Sequence, residues 1–487
     1  GYTCLQLNPM MKMRDLNGYS DPRSFTPADG EQRIENWWYP TGHYEEFQRK
    51  AYNLQRELAL PHGGGVVYND AGGGFPSATY IQKTAKPRSF NVMKHALKHV
   101  GLGDGAGEDQ IQVHLLSGID SKHGHSDTMS LQIFAKGHYM LDDITYPKHR
   151  MRSTYGGIML HNSGLIDGRG HAKAPVGEGK PRFYEPRLNG LAAVRIDGSN
   201  LYVGNSEVFE RTVVSVTVDP KRPYVVDLFR MDGGRKWREY MLLGSYRHRS
   251  EAAMSVPLTK LSGVRPLMRE GAKWDDGGKD DVKYDDPYGL FTNVHAAPRG
   301  KDFKLTYTLQ DTWREKENDP GEPADLYLDP AKPTVGMVNH FIGMPDATPY
   351  LADIPRRVDK PGPTTAMEQM PQLIFRDEGI DRESQFVCVH EPFKGQPAIR
   401  EVRRLPADGN ALVLRIEFED GRVDLVLMAT DGNPLRFDTD GILTDAKLAV
   451  ISQPAEGRPE AWMIGGTRLV ANKIGVSLKK EAAGFQG

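Results

Sequence analysis

The chain has 487 residues, a length that allows about three domains of average size and a large buried core. Its 62 Lys and Arg residues balance 64 Asp and Glu residues, and the net charge of −2 excludes a nucleic-acid-binding protein that relies on bulk positive charge. The high content of Gly (52) and Pro (33) indicates many turns and favours a mainly β fold over a helical one.

The first 105 residues are predicted to be partly helical. Apolar residues recur at helical spacing over residues 44–60, and Pro61 with the glycines after it ends this pattern. A second helix is expected to begin after Ser89 as its N-cap and to end at Gly101. Its apolar face comprises Phe90, Met93, Leu97 and Val100.

After about residue 110 the apolar pattern changes to period two. Residues 129–135 alternate, Lys136 and Gly137 supply a turn, and residues 139–142 return, which is the pattern of a β-hairpin. Further β-rich runs separated by turn residues occur at 212–218, 224–229, 303–308, 411–418, 423–429 and 448–452. No helices alternate with these runs, so antiparallel rather than parallel sheets are predicted.

The expected architecture is a large multi-stranded antiparallel β-sandwich with a short helical N-terminal segment. We expect a helical segment over residues 1–105, a β-sandwich domain with the functional site over 106–330, and a C-terminal β-sheet region over 331–487 that completes the sandwich. Two polar stretches rich in Pro and Gly, 271–287 and 311–333, are predicted to be surface loops.

Signals of cellular location are few. No apolar run approaches the length of about 18 residues that a transmembrane helix needs, so no membrane span is expected. The chain begins at Gly1 without a charged and then apolar leader, so any export signal is expected to lie upstream or to have been removed. Cys4 and Cys388 are too few for a disulfide framework and too far apart for a CxxC site.

Histidine is unevenly distributed, with seven of the 15 residues between positions 114 and 171. The segment KHGHSD at 122–127 is followed by the predicted hairpin, by Asp143 and then by His161. Imidazole and carboxylate groups are the usual ligands of a Zn²⁺-like ion when thiolates are absent. The spacing alone leaves a metal site and unrelated polar residues about equally favoured. A hairpin that turns at 136–137 also requires the HGHSD segment to curl back if it is to reach Asp143.

Longer stretches of sequence resemble the heparinase II/III-like polysaccharide lyases. The relevant runs are KHGHSDTMSLQIFAKGHYMLDDITY from Lys122 and STYGGIMLHNSGLIDG from Ser153, with further similarity at 209–245 and 384–397. The resemblance spans roughly residues 105–460, which corresponds to the β-sandwich portion of that family. It departs from the family pattern at Ile144-Thr145, where a Pro-Gly pair is usual.

The resemblance implies roles for individual residues. His125, Asp143 and His161 match the metal ligands, usually of zinc, and the ion is expected to be mainly structural. His123 matches the active-site histidine that faces the substrate. A tyrosine after the metal-binding aspartate is also implied, and both Tyr146 and Tyr155 are candidates. Lys122, Arg150 and Arg152 lie near these positions in sequence and are candidates for binding the substrate carboxylate.

The implied activity is β-elimination on a uronic-acid-containing polysaccharide of glycosaminoglycan, alginate or ulvan type, in the periplasm or outside the cell. The family also carries an N-terminal (α/α) toroid of several hundred residues, and only about 100 residues precede the β region here. We therefore expect the end of a toroid in this chain, with the rest supplied by a separate segment or lost, and a homo-oligomer is a further option. Two alternatives stay open, a non-catalytic polysaccharide-binding sandwich and a metal-dependent hydrolase.

Overall fold

A computed structural model defines the architecture. The residues that it describes are 94–95, 99–105, 109–117, 125, 127–143, 158–171, 179–202, 204–246, 248–275, 283–284, 286–312, 328, 332–355, 368–379, 382–407, 409–435, 437–439, 441–471, 474–477 and 485–486. Strands predominate among them, and the helical content consists of short 3₁₀ turns at Ile158–Leu160, Ser199–Tyr202 and Pro287–Leu290.

The strands are numbered in chain order. Strands β1–β8 are Lys94–His95, His99–Asp104, Ile111–Leu116, Leu131–Ala135, His138–Leu141, Gly164–Ile166, Lys180–Leu188 and Leu191–Asp197. Strands β9–β16 are Ser206–Val216, Tyr224–Gly233, Arg238–Leu242, His248–Met254, Thr259–Lys260, Trp274–Asp275, Lys283–Tyr284 and Thr292–Ala296. Strands β17–β24 are Phe303–Thr312, Val335–Phe341, Ala347–Pro355, Gln369–Asp377, Ser384–Lys394, Ile399–Leu405, Ala411–Phe418 and Val423–Ala429. Strands β25–β31 are Phe437–Thr439, Ile442–Thr444, Leu448–Gln453, Glu460–Ile464, Arg468–Ala471, Ile474–Ser477 and Phe485–Gln486.

Four sheets carry the architecture. An N-terminal sheet has the order β1-β2-β3-β4-β5, and a central sheet has the order β12-β17-β18-β21-β10-β9-β8-β7. A front sheet has the order β13-β16-β19-β20-β11-β6, and a C-terminal sheet has the order β22-β23-β24-β27-β28-β31. A smaller sheet, β25-β26-β29-β30, and the β14-β15 hairpin complete the set.

The central sheet is buried on both faces, and strand β10 shows how the sequence achieves this. Val225 and Phe229 belong to a core cluster shared with the N-terminal and front sheets. Val226 and Leu228 point the other way and pack against the C-terminal sheet. Because successive side chains of a strand alternate between its faces, the nearly continuous apolar run in β10 suits a sheet that is covered on both sides.

Two side-chain hydrogen bonds connect the C-terminal sheet to the central sheet. Trp462 is fully buried in this interface, and its indole Nε1 donates a hydrogen bond to the carbonyl of Asn189 at 2.6 Å. Tyr224 donates from its hydroxyl to Asp424 Oδ2 at 3.0 Å. Both bonds link residues more than 190 positions apart in the sequence, so the two sheets form one packed unit.

The mainly β prediction is confirmed. The predicted hairpin is present as β4 and β5, with Lys136 and Gly137 at its turn, and the six predicted β-rich runs coincide with β9, β10, β17, β23, β24 and β27. The predicted loop 271–287 contains the short hairpin β14-β15, and residues 313–327 of the second predicted loop lie outside the described residues.

The second predicted helix is wrong. The segment that was expected to run as a helix to Gly101 instead contains β1 and β2, and β2 pairs residue by residue with β3, from His99 opposite Leu116 to Asp104 opposite Ile111. Val100 is buried in the core, and glycine in the same run disfavours a helix, so tertiary pairing overrides the helical spacing. The first predicted helix, over 44–60, lies outside the described residues.

The packing of the C-terminal sheet predicts a contrast between two leucines. Leu414 is fully buried against the central sheet, whereas Leu258 is 36% exposed. Leu414→Ala should lower the free energy of unfolding by about 2–5 kcal/mol, because it leaves a cavity in a packed interface. Leu258→Ala, the matched control, should change it by less than about 0.5 kcal/mol. Urea denaturation followed by fluorescence measures both, and equal losses would contradict the proposed packing.

Candidate metal centre

A tight turn over residues 127–130 leads the chain from Asp127 into the hairpin. The backbone N–H of Ser130 donates to the carbonyl of Asp127 at 2.8 Å, and Met129 between them has a positive φ of 68°. The Met129 N–H donates to the carbonyl of Leu116 at 2.8 Å, which fixes the turn against β3. A positive φ is uncommon for a residue with a side chain. The chain therefore curls back before β4, as the geometry of the hairpin requires.

The candidate site is formed by three chain segments. His125 and Asp127 precede the turn, Asp143 follows β5, and His161 follows the 3₁₀ turn Ile158–Leu160. The N–H of Leu131 donates to the carbonyl of Asn162 at 3.0 Å, and the N–H of Met241 donates to the carbonyl of Ser163 at 2.9 Å. These bonds hold the His161 segment between the N-terminal sheet and the front sheet.

Four side chains converge where these segments meet. One ligand atom from each of His125, Asp127, Asp143 and His161 lies within 4.8 Å of the others. The His161 Nδ1 atom is 2.5 Å from Asp143 Oδ1, and the rings of His125 and His161 have centroids 5.4 Å apart. All four residues are buried, none of them more than 4% exposed. The cluster is compact enough for a single ion to contact all four.

The electrostatics of the cluster favour a cation. Burial and the neighbouring carboxylate of Asp143 raise the pKa of Asp127 well above its usual range. Among the described residues, neither carboxylate oxygen of Asp127 has a hydrogen-bond partner. A buried carboxylate in this position is costly unless a positive charge compensates it. Two imidazoles and two carboxylates are a donor set that suits a tetrahedral divalent ion, so these residues fit a metal.

Comparison with known proteins shows which solved structures this chain resembles. No family model and no curated protein sequence matches the chain. A solved structure of a heparinase III gene product matches it with a TM-score of 0.50 and 11% sequence identity, covering 80% of this chain and 53% of that structure's chain. The heparan sulfate lyase HepC from Pedobacter heparinus gives a TM-score of 0.49 and 11% identity, covering 80% of this chain and 54% of its own.

This chain has a heparinase-like fold. The resemblance predicted from the sequence motifs is thus confirmed at the level of the fold. The chain spans about half the length of the structures that it matches. None of the helices in the described part of the chain has the length and hydropathy to cross a bilayer.

The heparinase-like fold brings His125, Asp143 and His161 together, as the sequence predicts, and their role as metal ligands stays a prediction. The sequence reasoning missed Asp127 as a fourth member. The signal was available, because residues two apart on an extended chain face the same way and Asp127 is two residues from His125. The other predicted site residues, Lys122, His123, Tyr146, Arg150, Arg152 and Tyr155, lie outside the described residues.

Asn162 is a further residue that the sequence analysis did not identify as part of the site. Its side chain connects two of the segments that form the cluster. Its side-chain Nδ2 donates to the carbonyl of Asp142 at 3.2 Å, and its Oδ1 accepts from the N–H of Leu243 at 2.6 Å. Asp142 and Asn162 each neighbour a cluster residue in sequence. The amide therefore links the backbone beside Asp143 to the backbone beside His161.

Asp127 provides the sharpest test of metal binding. Asp127→Asn should lower the affinity for Zn²⁺ at least about tenfold, because it removes the charge and one ligand of the ion. The metal-free variant should be at least as stable as the metal-free wild type, because it removes an uncompensated buried carboxylate. Calorimetric titration with Zn²⁺ and thermal unfolding with and without the ion measure both effects.

The matched control is Asp424→Asn. Asp424 is also fully buried, but it accepts hydrogen bonds from Tyr224 and Ser452 in the C-terminal sheet and lies outside the cluster. This variant should be less stable than the wild type and should bind Zn²⁺ with unchanged affinity. Equal Zn²⁺ affinities of Asp127→Asn and the wild type would exclude Asp127 as a ligand.

Proposed function

We propose that this chain is a polysaccharide lyase that cleaves uronic-acid-containing polysaccharides of glycosaminoglycan, alginate or ulvan type by β-elimination. The observation that carries the proposal is the buried cluster of His125, Asp127, Asp143 and His161 within a heparinase-like fold. The structure matched with a TM-score of 0.50 is a heparinase III gene product, a name that denotes an enzyme acting on heparin, which is an acidic polysaccharide. Because such polymers lie outside the cytoplasm, the proposal includes a periplasmic or extracellular location.

The proposed catalytic residues are tied to the cluster by short lengths of chain. His123 is two residues from His125, so their Cα atoms lie at most about 7 Å apart. Tyr146 is three residues from Asp143, which limits the distance between their Cα atoms to about 11 Å. Tyr155 is six residues from His161, with a limit of about 22 Å. These limits keep His123 and Tyr146 near a substrate bound beside the cluster, and they allow Tyr155 to approach it.

The reaction needs a base, an acid and a neutralised carboxylate. The base removes the C5 proton of the uronate, the electron pair forms a C4=C5 double bond, and the C4–O glycosidic bond breaks. The leaving oxygen takes up a proton from the acid. We assign the base or proton relay to His123 and the acid to Tyr146 or Tyr155, and each such proton transfer typically contributes about 10²–10⁴-fold to the rate.

The substrate carboxylate must be stabilised as negative charge develops on it. Lys122, Arg150 and Arg152 are proposed to supply positive charge, and Arg in particular can bind a carboxylate with two parallel hydrogen bonds. They come from the same two chain segments as His123, Tyr146 and Tyr155. In this scheme one short region of sequence on either side of the hairpin supplies the base, the acid and the cationic groups.

The metal, Zn²⁺ by its ligand types, has a mainly structural role in this proposal. When bound, it would compensate the charge of Asp127 and Asp143 and join the three segments that lead to the catalytic candidates. The four protein ligands match the closed coordination of structural zinc sites, whereas catalytic sites generally keep one position open for water or substrate. His125, Asp127, Asp143 and His161 thus hold the segments, and the acid–base chemistry belongs to other residues.

The proposed reaction is tested by the double bond that it creates. Incubation of the full chain with heparan-type, hyaluronate, alginate and ulvan polymers should raise the ultraviolet absorbance with at least one of them, because C4=C5 is conjugated with the carboxylate. New reducing ends without a rise in absorbance would indicate a hydrolase. Binding to the polymers with neither product would indicate a non-catalytic sandwich, and both outcomes would contradict the lyase proposal.

The two motif histidines should separate catalysis from metal binding. His123→Ala is expected to retain the metal and the thermal unfolding temperature but to lose turnover by about 10²–10⁴-fold, as expected for a missing proton-transfer group. His125→Ala is expected to lose metal, stability and turnover together. Elemental analysis of dialysed protein, thermal unfolding and the ultraviolet assay measure the three properties. Loss of metal from His123→Ala would reverse the assignment.

A further inference from the structure

A buried arginine next to the metal cluster has no part in the mechanism described above. Arg211 lies in β9 of the central sheet and is fully buried. Its Nε and Nη2 atoms donate to the two carboxylate oxygens of Asp227 at 2.9 and 2.7 Å. The pair is bidentate, and the Asp227 charge raises the pKa of Arg211 although burial acts in the opposite direction. Arg211 therefore carries its charge inside the protein.

The remaining donor group of Arg211 points at the cluster. Its Nη1 atom donates to the carbonyls of Met129 and Asn162, the second at 2.7 Å. Met129 lies two residues after Asp127, and Asn162 directly follows His161. One guanidinium thus holds the backbone of two of the three segments that form the cluster.

The third segment is connected through Asn162. While its carbonyl accepts from Arg211, its side-chain amide donates to the carbonyl of Asp142, the neighbour of Asp143. A chain of hydrogen bonds therefore runs from Arg211 through Asn162 to all three segments. This connection fixes the spacing between the segments even before any ligand is considered.

The Asp227 carboxylate that binds Arg211 is itself held in place by several side chains. The hydroxyl of Tyr240 in the front sheet donates to Asp227 Oδ2 at 2.7 Å, and His390 Nε2 lies 3.6 Å from the same oxygen. The Nδ1 atom of His390 is 2.7 Å from Asn339 Oδ1 in β18. The arginine is therefore held by residues of β10, β11, β18 and β21, in two different sheets, which leaves its guanidinium little freedom to move.

The backbone that Arg211 holds is strained. Met129 is a fully buried residue at a φ of 68°, and such a conformation costs about 1–3 kcal/mol and persists only where the surroundings enforce it. The bond from Arg211 to the Met129 carbonyl enforces it from one side, and the bond from Met129 to Leu116 does so from the other. Without Arg211 the turn can relax, which would displace Asp127.

We infer that Arg211 is a positioning residue that sets the geometry of the metal cluster through the carbonyls of Met129 and Asn162. The inference rests on the proposed metal centre and adds to it a residue that contacts no ligand atom. Residues that orient metal ligands from outside typically change metal affinity by about 10–100-fold when they are replaced. Arg211 should do the same through the backbone rather than through a ligand side chain.

Arg195 offers a matched control. It is also a buried arginine of the central sheet, 2% exposed, and it donates to two backbone carbonyls, those of Ala429 at 3.2 Å and Thr430 at 2.9 Å. It also pairs with a carboxylate, that of Glu210. Its carbonyl partners belong to the C-terminal sheet region, and within the described part of the chain its hydrogen bonds do not reach the cluster segments. Arg195 thus repeats the bonding pattern of Arg211 at a different place.

The experiment compares Arg211→Lys, Arg195→Lys and the wild type with Co²⁺ as the probe. A lysine retains the charge but lacks the planar guanidinium fork, whose separate nitrogens reach the carboxylate on one side and the two carbonyls on the other. We expect both variants to unfold at lower temperature than the wild type in the absence of metal. Only Arg211→Lys should bind Co²⁺ about 10–100-fold more weakly, show an altered visible absorption spectrum of the bound ion, and gain less thermal stability from it.

Asn162→Ala is a second variant for the case in which Arg211→Lys does not fold. It leaves Arg211 and the Asn162 carbonyl in place and removes only the link to Asp142, so a weaker affinity and a changed Co²⁺ spectrum are again expected. An unchanged affinity and spectrum in Arg211→Lys, or in Asn162→Ala if that variant alone is folded, would overturn the inference. So would an equal loss in Arg195→Lys. A wild type that binds neither Co²⁺ nor Zn²⁺ would overturn the metal centre itself, and the inference with it.

Discussion

The arrangement of the site depends on two carboxylates buried side by side. Asp127 and Asp143 lie within one compact cluster with His125 and His161, and no residue in the described ranges donates a hydrogen bond to the oxygens of Asp127. Proteins rarely bury such groups without compensation, because the lost hydration of a carboxylate costs several kcal/mol. A cation coordinated by all four side chains, as proposed, would resolve this constraint and would account for the convergence of three chain segments at one point.

The surrounding sheets make the cluster possible. The central sheet is covered on one face by the C-terminal sheet and on the other by the N-terminal and front sheets. This double burial provides an interior in which a fully buried ion pair such as Arg211–Asp227 can be held in one geometry. Burial of apolar side chains stabilises the fold, and the polar network among them fixes the positions of the four cluster side chains. A four-ligand site needs both, because ligand distances must be correct within a few tenths of an ångström.

The sequence predicts secondary structure correctly where the local pattern of residues agrees with the environment that those residues have in the folded protein. The β4–β5 hairpin is predicted by alternation and a Lys-Gly turn, both of which are local. The segment before Gly101 shows the limit, since its helical spacing is genuine but the edge of β3 is available to pair with it. Propensity is a weak guide in such a case, because a strand can gain more from its partner than a helix gains from its own hydrogen bonds.

The site could be predicted only in part for a related reason. His125, Asp143 and His161 follow from a motif resemblance, whereas Arg211 gives no signal because its burial depends on the register of β9 against β10. In that register Arg211 lies opposite Phe229 and diagonal to Asp227, which places the guanidinium beside the carboxylate. Neither the register nor the depth of this position can be read from the residue types alone.

The strand order of the central sheet has a consequence for the order of folding. Strand β21, residues 384–394, lies between β10 and β18 although both precede it by more than 40 residues in the chain. His390, which lies beside the Asp227 carboxylate that binds Arg211, belongs to this strand. During synthesis the segments around residues 125–161 emerge long before the strand that completes their support. The support of the cluster is therefore completed late in folding, and nascent chains that end before β21 would lack it.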